Sequence, residues 1–248
     1  MDAGDQIPLP KGIIAVTLPT LNEADNIGQL IREIRSIGTE IHIVVADDDS
    51  PDGTAKIVEE IARIDPMVHL LLRTQNKGRG SAGVDAFRRA LTLGADYVVE
   101  MDADFSHHPK YIPSLLREMQ HADVAIGSRL VQGGGEAKRG FIRKYLTILS
   151  CAYSRIVLGL PVHDMNSGYR CFRREILESV DWDHFLSTGP SIVHELNYRC
   201  FLHGARFAEV PIHFYDRRKG QSKLNLARLA KGFTMVVRLR HLHTKGIV

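Results

Sequence analysis

The chain has 248 residues, 44% of them hydrophobic and 25% charged, with a formal net charge of +3. That length can bury the core of one large α/β domain, and the balance is ordinary for a soluble globular protein, not that of a chain that binds nucleic acid through charge alone. Three scattered cysteines, Cys151, Cys171 and Cys200, exclude a disulfide framework or a zinc knuckle and fit reduced thiols in a cytosolic protein.

In chain order, residues 1–11 are polar and lack the layout of a signal peptide. Residues 13–18 form an apolar, β-branched run that predicts a buried strand. Pro19-Thr20-Leu21-Asn22-Glu23 breaks it, and a helix pattern follows through Ile27, Leu30, Ile31 and Ile34. Residues 41–45 predict a second strand, whose acidic end runs into a turn at Ser50-Pro51-Asp52-Gly53-Thr54 and a helix through Ile57, Val58 and Ile61. A third strand is predicted at 68–72, then a glycine-rich loop and a helix over 81–93. A fourth at 97–101 ends on Asp102, Pro109 suits the first turn of a helix, and 124–127 predict a fifth strand. The second half is less regular: a basic amphipathic helix over 138–158, one or two short strands around Pro211, and a last helix over 223–241. No window approaches the ~20 apolar residues that span a bilayer. Alternating strands and helices predict a mainly parallel sheet covered on both faces, with its ligands beyond the carboxyl ends of the strands.

The chemistry-bearing residues cluster at those ends. Asp102 and Asp104, two apart at the end of an apolar strand, point to one side if the backbone is extended. Paired carboxylates repel unless a cation lies between them, and Mg²⁺ or Mn²⁺ bridges carboxylates to substrate phosphates. Asp47-Asp48-Asp49-Ser50 and Asn22-Glu23 end two other strands, where a carboxylate can accept from a nucleobase or a ribose hydroxyl or cap the next helix. The basic loop Asn76-Lys77-Gly78-Arg79-Gly80-Ser81 opens a helix whose N–H groups suit an anion, but it lacks the G-x-x-x-x-G-K-[ST] order of a P-loop, which argues against an ATPase. His107-His108 and His241-x-His243 lack a third ligand at a spacing that suits a transition metal.

Taken together these segments resemble the family 2, GT-A-type glycosyltransferases, and among them the dolichol-phosphate (polyprenol-phosphate) mannosyltransferases. The likeness runs through Pro19-Thr20-Leu21-Asn22-Glu23, residues 47–54, Met101-Asp102-Ala103-Asp104-Phe105-Ser106-His107-His108-Pro109, Gly127-Ser128-Arg129, Asp164 with Ser167-Gly168-Tyr169-Arg170, and residues 209–212 leading to Asp216-Arg217 and Gly220-Gln221-Ser222-Lys223. The resemblance implies a GT-A, Rossmann-like nucleotide-sugar-binding fold over residues 1–222, with 223–248 as a C-terminal amphipathic helix. It implies a nucleotide-sugar pocket formed by Pro19, Thr20, Asn22, Glu23, Asp48, Asp49, Lys77, Asp102 and Ala103. It implies metal binding by Asp102 and Asp104, helped by Ser106, and phosphate-facing Arg129, Arg143, Arg217 and Lys223. The chain departs from the family where Asp49 stands for the usual glycine, where Arg79 replaces a leucine, and where residues 189–195 replace an aromatic-rich segment.

The implied reaction is an in-line displacement at the anomeric carbon with inversion, of mannose from GDP-mannose onto a polyprenyl phosphate, in which the metal, held by Asp104, and Arg129 stabilise the leaving diphosphate. A lipid phosphate needs no strong base. A hydroxyl acceptor in a soluble transferase would need one, and Asp164 and Glu195 are then the candidates, unless Asp164 fixes the Ser167-Gly168 turn and Glu195 pairs with an arginine. A third reading is a catalytically silent nucleotide-binding subunit, against which the Asp102/Asp104 pair argues. Residues 217–248 contain no Asp or Glu, and Leu226, Leu229, Ala230, Phe233, Val236 and Val237 form one helical stripe. Phe141, Tyr145, Ile148, Leu149 and Ala152 form another. Both suit an interfacial helix on anionic lipid or packing against the core. The first alternative places the protein peripherally on the cytoplasmic membrane face, with room for a membrane-embedded partner subunit.

Overall fold

The structure, a computed structural model, describes residues 9–38, 40–137, 141–215 and 226–244, the side chains of 137, 141–143, 226–231 and 244 excepted. The elements in order are β1 (Ile14–Thr20), α1 (Ala24–Arg35), β2 (Ile41–Asp47), α2 (Thr54–Ala62), β3 (Val68–Leu72), α3 (Arg79–Thr92), β4 (Tyr97–Glu100), α4 (Ile112–Glu118), β5 (Val124–Ser128), β6 (Gly135–Ala137), α5 (Phe141–Leu158), β7 (Arg170–Arg173), α6 (Arg174–Glu178), α7 (Ile192–Leu202), β8 (Phe207–Pro211), β9 (His213–Tyr215) and α8 (Leu226–Thr244).

Seven strands form one sheet in the order β3-β2-β1-β4-β7-β5-β8, and β6 pairs with β9 apart from it. The sheet is parallel except for β7, which runs antiparallel to both its neighbours. Side chains alternate across β1: Ile14, Val16 and Leu18 join α1, α2 and α4 in one core, while Ala15 faces a second core with α3, α5, α7 and α8. The i, i+3, i+4, i+7 spacing of Ile27, Leu30, Ile31 and Ile34 puts all four in the first core. The mainly parallel α/β sandwich expected from the sequence is thus the fold observed.

Several local readings change. The first two strands run on to Thr20 and Asp47, so the polar clusters begin inside the sheet. The fourth ends at Glu100, so Asp102 and Asp104 lie beyond the strand, Asp104 within a bend over residues 103–107. The segment around Pro211 forms two strands in different sheets, β8 and β9. Gly53, at the N-cap of α2, has no side chain to cap with; Asp52 accepts from the N–H of Thr54, the first residue of α2, and, across the gap, from the N–H of Ala24 at the start of α1.

Candidate active site

The ends of β1 and β2 are knitted by one carboxylate. Asp47, fully buried, accepts from Thr20 Oγ1 at 2.8 Å and from the N–H and hydroxyl of Ser50 at 2.8 and 2.7 Å. The Ser50 hydroxyl in turn accepts from the N–H of Asn22. This fixes two sharp corners, Asn22 and Asp49, both in the left-handed region that Asn and Asp tolerate better than other side chains. Beyond them opens a cavity of about 370 Å³ lined by Pro19, Thr20, Leu21, Asp48, Lys77, Gly78, Arg79 and Ala82. Asp48 is buried, ion-paired to Arg73, and accepts from the Gly78 N–H at 2.7 Å. Lys77 reaches exposed Asp49 at 3.0 Å. Four of the sequence-predicted residues, Pro19, Thr20, Asp48 and Lys77, therefore share one cavity wall. Asn22, Glu23 and Asp49 are bonded to its frame but are not among its lining residues.

Beside this cavity lies the bend after β4. Arg79, the first residue of α3, donates to Asp102 Oδ1 at 2.8 Å and to Glu100 Oε1 at 3.2 Å. The Asp102 N–H donates to Nδ1 of His107 at 3.0 Å, which leaves the proton of a neutral ring on Nε2. Burial, the largest influence, holds the His107 pKa down; the charges of Asp102 and Asp104 oppose it, and those of Arg79 and Arg129 add to it. Asp104 is 6% exposed and accepts from the Ser106 N–H. Ala103 is buried between the two aspartates, and Phe105 turns the chain at φ 62°. The Ser106 hydroxyl is buried with no hydrogen-bond partner. An orphaned hydroxyl next to a buried carboxylate fits a hard, oxygen-seeking cation. Among the described residues no three His, Cys, Asp or Glu side chains converge on one ion, so such an ion would complete its shell from water and ligand phosphate.

Arg129, at the end of β5, is enclosed. Its guanidinium bonds both oxygens of Asp164 and, through Nη1, Glu136 Oε1 at 2.9 Å, and it lies over the Phe214 ring. Asp164 is fully buried in that grip. Glu195, on α7, is fully buried too, accepting from the N–H groups of Leu186 and Ser187 and from Arg199 at 2.9 Å. It thereby holds the 186–188 segment, whose Thr188 carbonyl accepts from the Gly80 N–H. Neither carboxylate is free to take a proton from an incoming group in this arrangement. Arg217 and Lys223 lie outside the described residues, as does the side chain of Arg143 on α5.

A larger cavity, about 860 Å³, opens between α5, α7, α8 and the 186–191 segment, with Ser150, Ser154, Asn166, Thr188 and Arg238 in its wall. The sequence reading missed it, together with Arg73, Glu100 and Glu136, and it named Arg170 within a motif without giving it a partner. One signal was available: Glu100 stands inside the apolar run Tyr97-Val98-Val99-Glu100-Met101, and a carboxylate in a buried strand demands a cation. Arg170, fully enclosed, supplies it.

The profile of glycosyl transferase family 2 matches residues 15–181. The undecaprenyl-phosphate mannosyltransferase of Micrococcus luteus is 38% identical over 212 residues, covering 86% of this chain and 87% of its own. The polyprenol monophosphomannose synthase of Mycolicibacterium smegmatis is 37% identical over 239 residues, 94% of this chain and 90% of its own. The dolichol-phosphate mannosyltransferase of Pyrococcus furiosus is 35% identical over 93% of this chain, which spans 62% of that longer protein. In fold, the chain is similar to glucosyl-3-phosphoglycerate synthase from Mycobacterium tuberculosis, crystallised with Mn²⁺, UDP and glucosyl-3-phosphoglycerate: the TM-score is 0.64 at 23% identity, over 96% of this chain and 81% of that one.

Proposed function

The chain belongs to glycosyl transferase family 2, and from that premise we propose that it transfers mannose from GDP-mannose to a polyprenyl phosphate, with inversion, using Mg²⁺ or Mn²⁺ at Asp102 and Asp104. The observation that carries this reading is the pair of relatives, 38% and 37% identical over most of the chain, whose names both join mannose to an undecaprenyl or polyprenol phosphate. The nucleoside is assigned to the cavity walled by Pro19, Thr20 and Asp48, and its diphosphate to the side bearing Lys77. When bound, the ion would neutralise charge on the departing diphosphate. Asp102 and Asp104, with the Ser106 hydroxyl, would hold it, and His107, accepting from the Asp102 N–H, keeps that turn in place.

The enclosure of Asp164 and Glu195 supports a phosphate acceptor. A hydroxyl would need a base, and both candidates are committed to arginines; a phosphate oxygen is already anionic. We assign the two carboxylates to positioning, Asp164 of Arg129 and Glu195 of the 186–188 segment. The apolar outer face of α5 supports a lipid surface. Tyr145, Ile148, Leu149, Ala152 and Ile156, at helical spacing, are exposed, Tyr145 by 66% and Ile156 by 78%, with Lys144 and Arg155 beside them. On α8, Val236 and Leu239 are buried, while Phe233 and Val237 are exposed next to α5. Among the described residues no helix is long and apolar enough to cross a membrane. From the exposed apolar face of α5 we assign the protein to the membrane surface, and we place it on the cytoplasmic face.

The test is turnover of GDP-mannose, GDP-glucose, UDP-glucose and UDP-N-acetylglucosamine with Mn²⁺ or Mg²⁺, each with and without a short polyprenyl phosphate. Consumption of GDP-mannose only with the lipid, abolished by Asp104→Ala, is expected. Turnover that ignores the lipid would overturn the acceptor.

A further inference from the structure

Arg79 and Arg170 divide Glu100 between them. Arg170 takes Oε2 and also bonds the Val193 carbonyl at 3.1 Å and Asn197 Oδ1 at 2.9 Å; it is fully enclosed. Arg79 takes Oε1 at 3.2 Å, and its stronger bond, 2.8 Å, goes to Asp102. Its side chain is 24% exposed and lines the nucleotide cavity. Arg170 by itself carries enough charge to balance Glu100, so Arg79, which bonds both carboxylates, brings the charge that balances Asp102. Gly168 makes room for it: a Cβ there would stand 2.7 Å from Nη2.

We propose that Arg79 is a built-in competitor for the divalent ion, holding Asp102 while the site has no ion and yielding it when one binds. This rests on the assignment of the ion to Asp102 and Asp104. An ion placed on Asp102 would meet a guanidinium bonded to the same carboxylate, and two cations so close repel. Either the guanidinium turns aside or the ion binds less tightly. The cavity that Arg79 lines is where the diphosphate is assigned, so the displaced guanidinium has an anion to turn to. Donor and ion then favour each other, because each removes the contact that opposes the other.

The consequence is opposite in sign to ordinary damage. If Arg79 occupies Asp102 for roughly nine-tenths of the time, the apparent ion affinity falls about tenfold. Removing it should make the ion bind more tightly. The experiment is a Mn²⁺ titration followed by electron paramagnetic resonance, without nucleotide, on wild type, Arg79→Leu and Arg79→Met, with thermal melts to establish folding. Both variants are expected to bind Mn²⁺ about tenfold more tightly than wild type, and adding Asp102→Asn should erase the difference. Wild-type binding that neither variant tightens would overturn the competition and leave the ion site standing. No Mn²⁺ binding by wild type or variants, with donor turnover indifferent to a chelator, would overturn the ion site and the competition together.

Discussion

Arg129 and Asp164 meet side by side across 35 residues of chain, Nε on Oδ2 and Nη2 on Oδ1, each at 2.7 Å. The Arg129 N–H adds a third bond to Oδ2 at 3.0 Å. Burial is the largest influence on Asp164 and would raise its pKa, but the bonds and charge of Arg129 and the Asn166 N–H together hold it below the usual carboxylate value. Its contribution to stability is therefore present at neutral pH and is lost as pH falls through the depressed pKa. Asp164→Asn leaves the enclosed Arg129 with Glu136 as a carboxylate partner, so it should cost about 1.5–3 kcal/mol, the worth of hydrogen bonds to a charged group. Arg129→Lys keeps the charge but loses the fork and should also destabilise. Urea unfolding measures both; a loss under ~1 kcal/mol for Asp164→Asn would contradict the pairing.

Gly80 is where α3 touches the 187–189 segment. A Cβ there would lie 2.6 Å from the carbonyl carbon of Thr188 and 2.8 Å from the carbonyl oxygens of Ser187 and Gly189. That segment is pinned by Glu195 and cannot retreat cheaply. Gly80→Ala should therefore lower stability by about 1–3 kcal/mol and, by shifting Lys77 and Arg79, raise the donor KM. Thermal melts with steady-state kinetics decide it; an unchanged KM would separate the 187–189 contact from the nucleotide cavity.

His194 lies on α7, with neither ring nitrogen hydrogen-bonded. Burial first, and then the charge of Arg170, hold its pKa down to about 4, against 6.5 ordinarily. Between those values the unfolded chain takes up a proton that the folded one refuses. Stability should thus fall as pH drops from 6.5 towards 4, by about 3 kcal/mol from this residue. Replacing it in His194→Met should flatten the pH dependence of the urea midpoint over that window. Equal slopes for the two proteins would show that His194 does not resist protonation.

The cysteines should be inert in the native protein. Cys151, Cys171 and Cys200 are free and buried. Burial pushes Cys151 and Cys200 up to about 12 and Cys171 well above its ordinary value; the charge of Asp164 adds to the effect at Cys151. A disulfide reagent at pH 8 should label no thiol until denaturant is added, then three. Rapid labelling of a thiol in the native protein would mean that its cover opens readily.

What the sequence could reveal follows from how local each determinant is. The parallel strands were legible because each is a short apolar run with its own boundary, and the 68–72 reading coincides with β3. Pro19, Thr20, Asp48 and Lys77 could be named because the family resemblance implies a nucleotide pocket there, in segments that follow strand ends. Strand β7 was not legible: Arg170-Cys171-Phe172-Arg173 has an arginine at each end, and only the distant Glu100 makes a buried Arg170 tolerable. The roles of Asp164 and Glu195 depended in the same way on arginines and N–H groups that meet them only after folding.

Strand β7 also sets an order of assembly. Residues 14–100 can pair β1 to β4 among themselves, but β4 reaches β5 only through β7, whose Arg170 lies 70 residues beyond Glu100. Until that segment exists and arrives, β4 is a bare edge, open to pairing with another chain, and Glu100 lacks its arginine. Closing so long a loop is slow. During synthesis the chain therefore passes through a stage with an unfinished sheet, and aggregation should be most acute for chains halted between β5 and β7.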